Sequence, residues 1–312
     1  VAAPAPIILD CDPGHDDALA ILLALARPEV HVLAITTVAG NAPLERTTWN
    51  ALRILTLAGR TDIPVAAGAA ASLIGQRHTA PSVHGTSGLD GADLPEPAME
   101  PVSESALELM TRLLEDATEP MTLVPTGPLT NVAHLIAARP DLMDRVAQIC
   151  LMGGAIGEGN WTPAAEFNIW ADPEAAAIVF SCGRPIAMHG LDVTHKARLR
   201  PADMDAMDAV GNRTGRIFAD LMRFFGRFHE ERYGWDGPPI HDAVAVAHLL
   251  GQGIVETRPY NVQVETEGRL TRGRTVVDTR FFAPGPRNAE VGVDIDRERF
   301  VALLLEAVAA FP

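Results

Sequence analysis

The stretch that most constrains this chain runs from Ile7 to Asp17 and reads Ile-Ile-Leu-Asp-Cys-Asp-Pro-Gly-His-Asp-Asp. Ile7, Ile8 and Leu9 form a short apolar run of the kind that makes a buried strand. Pro13-Gly14 ends it, and Ala18 to Leu25 is an apolar run of good helix formers. Four carboxylates, Asp10, Asp12, Asp16 and Asp17, therefore crowd around one strand-to-helix turn. Two carboxylates about 4 Å apart repel by roughly 4 kcal/mol at an effective dielectric near 20. A helix N-terminus offsets only about 0.3–1 kcal/mol per acid, and capping the helix needs no more than one or two of them. The excess asks for a cation, or for chemistry that uses paired acids.

The bulk numbers narrow the partners. With 40 acids against 25 bases, the net charge of −15 disfavours nucleic acid and anionic membranes, both of which need a positive face. Cys11, Cys150 and Cys182 are odd in number, lack metal-type spacing and lie in or beside apolar segments, so they read as reduced core residues. The opening Val-Ala-Ala-Pro-Ala-Pro lacks the regions of a signal peptide. No apolar run reaches the roughly 18 residues of a membrane span. A soluble cytoplasmic protein is the expectation.

Along the chain, strands are expected at Ile7–Asp12, Val30–Val38, Ile63–Ala66, Met121–Val124, Val146–Met152 and Pro185–Leu191, alternating with helices. Pro43 suits the first turn of a helix running to about Gly59, and Asp172-Pro173 opens another. Ala69 to Val102 reads as a long functional loop, after which Ser103 caps a helix. Glu166 and Asn168, if extended, face the same side. Helices are expected at Pro201–Val210, Arg213–Arg232 and Asp242–Leu250, and Asp296 caps a last one. Val262–Glu265, Arg274–Asp278 and Glu290–Val293 alternate enough to be late, possibly antiparallel strands. No linker divides the chain. The expectation is one α/β domain over residues 1–312, with a mixed, mostly parallel, Rossmann-like open sheet flanked by helices.

In such sheets ligands bind beyond the carboxyl ends of the strands. The polar residues of interest gather there: Asp12, Asp16 and Asp17 after the first strand, Asn41 after the second, Thr126 after the Met121 strand, and Met152 with its glycine pair after the Val146 strand. Several familiar motifs are absent. There is one glycine where a dinucleotide site wants three, and there is no P-loop, no G-x-S-x-G and no H-E-x-x-H. Carboxylates plus a turn carbonyl are hard oxygen ligands that suit Ca²⁺ or Mg²⁺.

The octet Asp10 to Asp17 resembles the N-terminal signature of the inosine-uridine-type nucleoside hydrolases. Further matches follow in family order: Val38 to Asn41, Thr126 to Asn131, Met152-Gly153-Gly154, Asn160, Glu166-Phe167-Asn168 and Ile240-His241-Asp242. The resemblance implies the nucleoside hydrolase fold and hydrolysis of a ribonucleoside to ribose and free base. It implies Ca²⁺ ligands at Asp12, Asp17, Asp242 and the carbonyl of Thr126. Ribose-binding groups carry over to Asp16, Asn41, Met152, Asn160, Glu166, Asn168 and Asp242, and Phe167 and Tyr233 are expected among the substrate-binding residues. Asp12 matches the general base and His241 the proposed general acid. Family members are often homodimers or homotetramers.

The base end is less constrained. His84 matches a loop histidine of the family, and Phe224 to His229 with Tyr233 and Trp235 is a candidate aromatic wall. His15 sits at a variable position of the signature. Taken singly, each residue has a plainer reading: Asn41 and Asp242 as helix caps, Met152 as core, Thr126 as turn chemistry, and Phe224, Phe225 and Phe228 as helix core. Competing activities are an Asp-nucleophile phosphatase, which also places Asp-x-Asp after its first strand, and a non-catalytic nucleoside-binding protein.

Overall fold

Alternating buried strands and amphipathic helices can hide their apolar faces only by layering, and the computed structural model, described for residues 3–280 and 285–312, does so. The chain opens with β1 (Ala5–Cys11), α1 (His15–Ala26), β2 (Val30–Thr37), α2 (Leu44–Leu57) and β3 (Val65–Ala67). After a turn of helix, α3 (Pro81–His84), come α4 (Ala106–Glu115), β4 (Met121–Pro125), α5 (Thr130–Ala138) and β5 (Val146–Met152). The middle holds α6 (Phe167–Ala171), α7 (Pro173–Phe180), β6 (Ile186–His189), α8 (Leu191–Thr194), α9 (Pro201–Ala209), α10 (Arg213–Tyr233) and α11 (His241–Leu249). Last are β7 (Val255–Val264), β8 (Thr275–Asp278), β9 (Ala289–Ile295) and α12 (Arg297–Ala309).

Among the described residues nine strands form one sheet, in the order β3-β2-β1-β4-β5-β6-β9-β7-β8. Every pairing from β3 across to β9 is parallel, while β7 runs antiparallel to β9 and β8 antiparallel to β7. The strands alternate as a sheet buried on both faces must. Ile7, Leu9 and Cys11 join the core under α1, α10, α11 and α12, whereas Ile8 joins the core under α4, α5 and α7. Helix α1 is apolar on nearly all sides because it is sandwiched: α11 and α12 pack along it, and it is buried from His15 to Ala24. Cys11 and Cys150 are buried and Cys182 half-buried, all three as thiols. No helix among the described residues is long and apolar enough to cross a membrane.

The differences from the sequence reading are local. Ser105, not Ser103, caps α4, because only Ser105 stands three residues before Glu108. Its hydroxyl accepts from Glu108 N–H, and the Glu108 carboxylate accepts in return from Ser105 N–H at 2.7 Å. The strand expected to reach Leu191 stops at His189, where Leu191 N–H turns to the Gly154 carbonyl at 2.9 Å and α8 begins. Glu166 keeps an extended backbone, but Asn168 lies in the first turn of α6, so the two do not make the extended pair on which a shared face depends. Glu166 caps α6, accepting from the amides of Asn168 and Ile169. The strand expected at Val262–Glu265 is the end of a longer β7 that stops at Val264; the antiparallel character expected of the late strands holds where β7 pairs with β8 and β9, while the other edge of β9 pairs parallel to β6.

Candidate active site

The strand order reverses between β1 and β4, and the crevice beyond their carboxyl ends is where an open sheet takes its ligand. Asp12 follows β1 and Thr126 follows β4. Because α11 packs against α1, Asp242 in its first turn meets Asp16 and Asp17 in the first turn of α1. One carboxylate oxygen from each of the three lies within 4.8 Å of the others. Residues from opposite ends of the sequence thus share one focus.

Asp12 stands beside this focus, wedged by glycines. Its Oδ2 accepts from Asn41 N–H at 2.6 Å. A Cβ at Gly40 would collide with Oδ2, and one at Gly127 would stand 2.6 Å from Oδ1. Asp17 is the most tethered. Its Oδ2 accepts from Gly14 N–H (3.0 Å) and Asn41 Nδ2 (3.1 Å), and its Oδ1 from Thr126 Oγ1 (2.8 Å). Asp12 Oδ1 and Asp16 Oδ1 are buried without a partner. Burial first, and the neighbouring carboxylates second, push Asp16 up to about 7 and hold Asp12 and Asp242 well above the usual carboxylate range. Burial also raises Asp17, against its hydrogen bonds. A donor set made only of oxygen, partly unpaired and mutually repelling, fits a hard divalent cation.

Above the acids opens a cavity of about 360 Å³. Asp16 and Asp242 border it; Asp12 and Asp17 lie behind. Asn41, Thr126 and Met152 come to it from strand ends, as expected. Asn168 borders it too, and its Nδ2 donates to the Thr126 carbonyl at 2.7 Å and the Met152 carbonyl at 3.2 Å. Glu166 also borders it, though both carboxylate oxygens hold backbone amides: Oε1 that of Asn168, Oε2 those of Gly154 and Ile169. Burial pushes its carboxyl up to about 7. Asn160 Oδ1 accepts from Phe167 N–H at 3.0 Å, placing both at the cavity.

The remaining lining is mostly aromatic and imidazole, with Ala80, Ser82, Val83 and Arg232 beside it. Phe225, Phe228, His229 and Tyr233 of α10 border the cavity, and so does Trp235, which follows the helix. Tyr233 and Trp235 stack 4.6 Å apart, and Trp235 lies 6.0 Å from His229, nearly parallel to it. Phe224 turns away, under the Arg227 guanidinium. His241 lies at the cavity with Nδ1 2.7 Å from Thr194 Oγ1. Burial, then the nearby histidines, hold it well below its ordinary value. His84 borders the cavity as expected; His15 lies behind it, fully buried. Sequence reasoning missed His195, which stands 5.6 Å from His241, and Trp161, which follows Asn160 directly. Adjacency to Asn160 was a usable signal for Trp161; nothing local marked His195.

Fold and site together define an α/β protein that receives a polar small molecule at the switch point of an open sheet, against a buried acidic cluster. Comparison with known proteins narrows this class. Residues 7–302 match the family model described as inosine-uridine preferring nucleoside hydrolase, and the chain belongs to that family. A pyrimidine-specific ribonucleoside hydrolase RihA from Salmonella agona (strain SL483) is 53% identical over 302 residues, covering 96% of this chain and 97% of the relative. The protein of the same name from Escherichia coli O139:H28 is 52% identical over the same length. Among solved structures, a plant nucleoside hydrolase, PpNRh1, superposes with a TM-score of 0.91 at 34% identity, covering 98% of this chain and 99% of that one. A purine-preferring ribonucleoside hydrolase from Gardnerella vaginalis does so at 0.91 and 32%, covering 97% and 98%. The chain is a nucleosidase.

Proposed function

We propose that this enzyme hydrolyses the N-glycosidic bond of pyrimidine ribonucleosides, releasing ribose and the free base, with Ca²⁺ held at the acidic focus. The observation that carries the reading is the meeting of Asp16, Asp17 and Asp242 at the head of a cavity that also presents side-chain amides, aromatic rings and histidines. The pyrimidine preference follows the printed names of the relatives at 52–53% identity.

Asp12, Asp17, Asp242 and the Thr126 carbonyl would hold the ion, with Asp16 beside them. The Thr126 carbonyl already accepts from Asn168, but a carbonyl has a second lone pair. When bound, the ion supplies positive charge that neutralises the cluster and orients water and vicinal hydroxyls. Asp12 serves as general base: its unpartnered Oδ1 takes a proton from the attacking water as the water oxygen bonds to C1′. Glu166, whose oxygens are already fixed by backbone amides, accepts from a ribose hydroxyl, and so does Asp16. Asn41, Asn160 and Asn168 complete the polar shell around the sugar, with Phe167 and Met152 against its carbon face. As the C1′–N bond breaks, its electron pair stays on the base. His241 supplies a proton or hydrogen bond to that nitrogen, oriented by Thr194 at Nδ1. Its depressed basicity keeps the imidazole neutral beforehand, so its ring N–H first meets the charge growing on that nitrogen as a hydrogen bond, and a proton it hands over is replaced from solvent. Tyr233 and His84 border the base.

The test is a substrate panel of uridine, cytidine, inosine and adenosine, with and without chelator, following free base and reducing sugar. Uridine and cytidine are expected to turn over fastest, chelation to abolish turnover and Ca²⁺ to restore it. Tight ribose binding without turnover, or full activity after chelation, overturns the reading.

A further inference from the structure

Asn50 takes no part in the reaction just described, yet its side chain, buried in the middle of α2, reaches both ends of the site. Its Nδ2 lies 3.0 Å from the Pro13 carbonyl oxygen and 2.9 Å from the Ser87 carbonyl oxygen. Carbonyls only accept, so this nitrogen spends its two hydrogens on two segments that are far apart in the sequence. The carbonyl of Pro13 and the N–H of Gly14 belong to one trans peptide and point in opposite directions. With the carbonyl held at Asn50, the Gly14 N–H is aimed at Asp17 Oδ2, 3.0 Å away, where it helps to cap α1. A donor on the carbonyl also polarises the peptide and strengthens the N–H on its far side. Asp17 is one of the three acids that meet at the focus. The second contact, Ser87, lies in the loop that His84 opens. The Asp90 carboxylate shapes that loop from within, accepting from Thr86 N–H at 3.0 Å and Ser87 N–H at 3.2 Å. Gly88, with φ +85°, lets the loop close on the amide: a Cβ there would lie 2.9 Å from Asn50 Nδ2. His84 borders the cavity, and its ring rests on Gly14, where a Cβ would lie 2.6 Å from Nδ1 and 2.8 Å from Cε1. The residue whose N–H reaches Asp17 is thus also the floor under His84, and one side chain anchors both.

We propose that Asn50 is a positioning residue that couples the acidic end of the site to the base end: it aims the Gly14 N–H at Asp17, and it holds the His84 loop in register with the same turn. The consequences for Ca²⁺ and for the nucleobase rest on the nucleoside hydrolase reading; the orientation of the Pro13–Gly14 peptide does not. Without the amide, that peptide is free to rotate. Asp17 then loses a donor that fixes it, and the loop under His84 loses its tie to the acids.

The experiment uses the full chain labelled with ¹³C′-proline and ¹⁵N-glycine. Only two glycines, Gly14 and Gly285, follow a proline, and Pro284→Ala removes the second signal and so assigns the first. In the chelated, unaltered protein the Gly14 N–H is expected to exchange slowly with solvent. Exchange as fast as that of an exposed amide overturns the proposal without any variant of Asn50 having to fold. In Asn50→Ala, and in Asn50→Leu, which is close in volume but has no donor, the Gly14 N–H is expected to move upfield and exchange faster. An unchanged Gly14 signal in either variant overturns the proposal. Calorimetric titration of the chelated proteins with Ca²⁺ should show affinity weakened about ten-fold or more in both variants, the scale of a lost partner behind a metal ligand. At saturating Ca²⁺, kcat for nitrophenyl riboside should return to within about two-fold. KM for uridine should stay raised about ten-fold, because the ion does not restore the His84 loop. Unchanged Ca²⁺ affinity with equal losses on both substrates would mark a merely structural role and overturn the proposal. Failure of the unaltered protein to bind Ca²⁺ or to cleave uridine would instead strike the hydrolase reading, and the Gly14 signal would still decide the role of Asn50.

Discussion

Asp12 carries two demands that pull apart. Burial and repulsion from Asp17 and Asp16 make its negative charge costly, while the Asn41 amide at 2.6 Å and the glycine walls fix it in place. In the proposed role of general base, such a group serves turnover at the expense of stability. Asp12→Asn is therefore expected to lower kcat by about 10³-fold or more, on the scale of a lost general base. Its thermal midpoint, measured without metal, should be unchanged or higher, because one of the repelling charges is gone. Near-normal turnover would remove Asp12 as the base. His241 is tested at the same scale by its leaving group. His241→Ala should slow uridine by about 10²-fold or more while sparing nitrophenyl riboside, which departs without a proton. Equal losses on the two substrates would reject the role.

The elements bring these residues together through a few side chains that bridge backbone ends. Asn131, in the first turns of α5, donates from Nδ2 to Asp10 Oδ1 (2.8 Å) and the Thr37 carbonyl (3.0 Å), and accepts at Oδ1 from Ala69 N–H (2.9 Å). It ties β1, β2 and the segment after β3 together behind the acids. Asn131→Ala would leave the half-buried Ala69 N–H without its partner and take one of two donors from the Asp10 carboxylate oxygen, which keeps Thr36, and from the Thr37 carbonyl, which keeps the Gly68 N–H; it should cost about 1–3 kcal/mol, read from chemical denaturation. A loss under about 0.5 kcal/mol would show that water or rearrangement replaces it. The same scale shows what the sequence could and could not display. Strand-to-helix alternation, the Pro-Gly turn and the acids of the first signature were readable because apolar period and turn chemistry are local. The meeting of Asp242 with Asp16 was implied only by the family resemblance, since it depends on α11 packing against α1 from across the chain. That Asn168 is helical rather than extended had no local marker, because a five-residue helix leaves little periodic signal. His195 enters the site through the end of α8, a four-residue turn with no periodicity of its own.

At the scale of the whole molecule, the acidic cluster is a joint between the two ends of the sequence. The N-termini of α1 and α11 both point their first-turn acids into one spot. Helix dipoles ease this by only about 0.3–1 kcal/mol per acid. Without an ion, protons must relieve the rest. Asp16 has a folded value near 7 against an ordinary 3.8, so the folded state binds its proton more tightly than the unfolded chain does. A group raised in this way makes metal-free stability fall as pH rises from about 4 to 7. A bound divalent ion should reverse the balance, since it favours the ionised carboxylates of the folded state alone. At a free Ca²⁺ concentration of 100 times its Kd, linkage adds about 2.7 kcal/mol. Thermal melts of the chelated protein should therefore give a midpoint higher at pH 5.5 than at pH 7.5. Melts with excess Ca²⁺ should raise the midpoint most at pH 7.5 and lessen the dependence. Asp242→Asn, which removes the contribution of α11 to the joint, should shrink the Ca²⁺ shift at both pH values. A Ca²⁺-independent midpoint in the unaltered protein would mean that protons alone hold the two ends together.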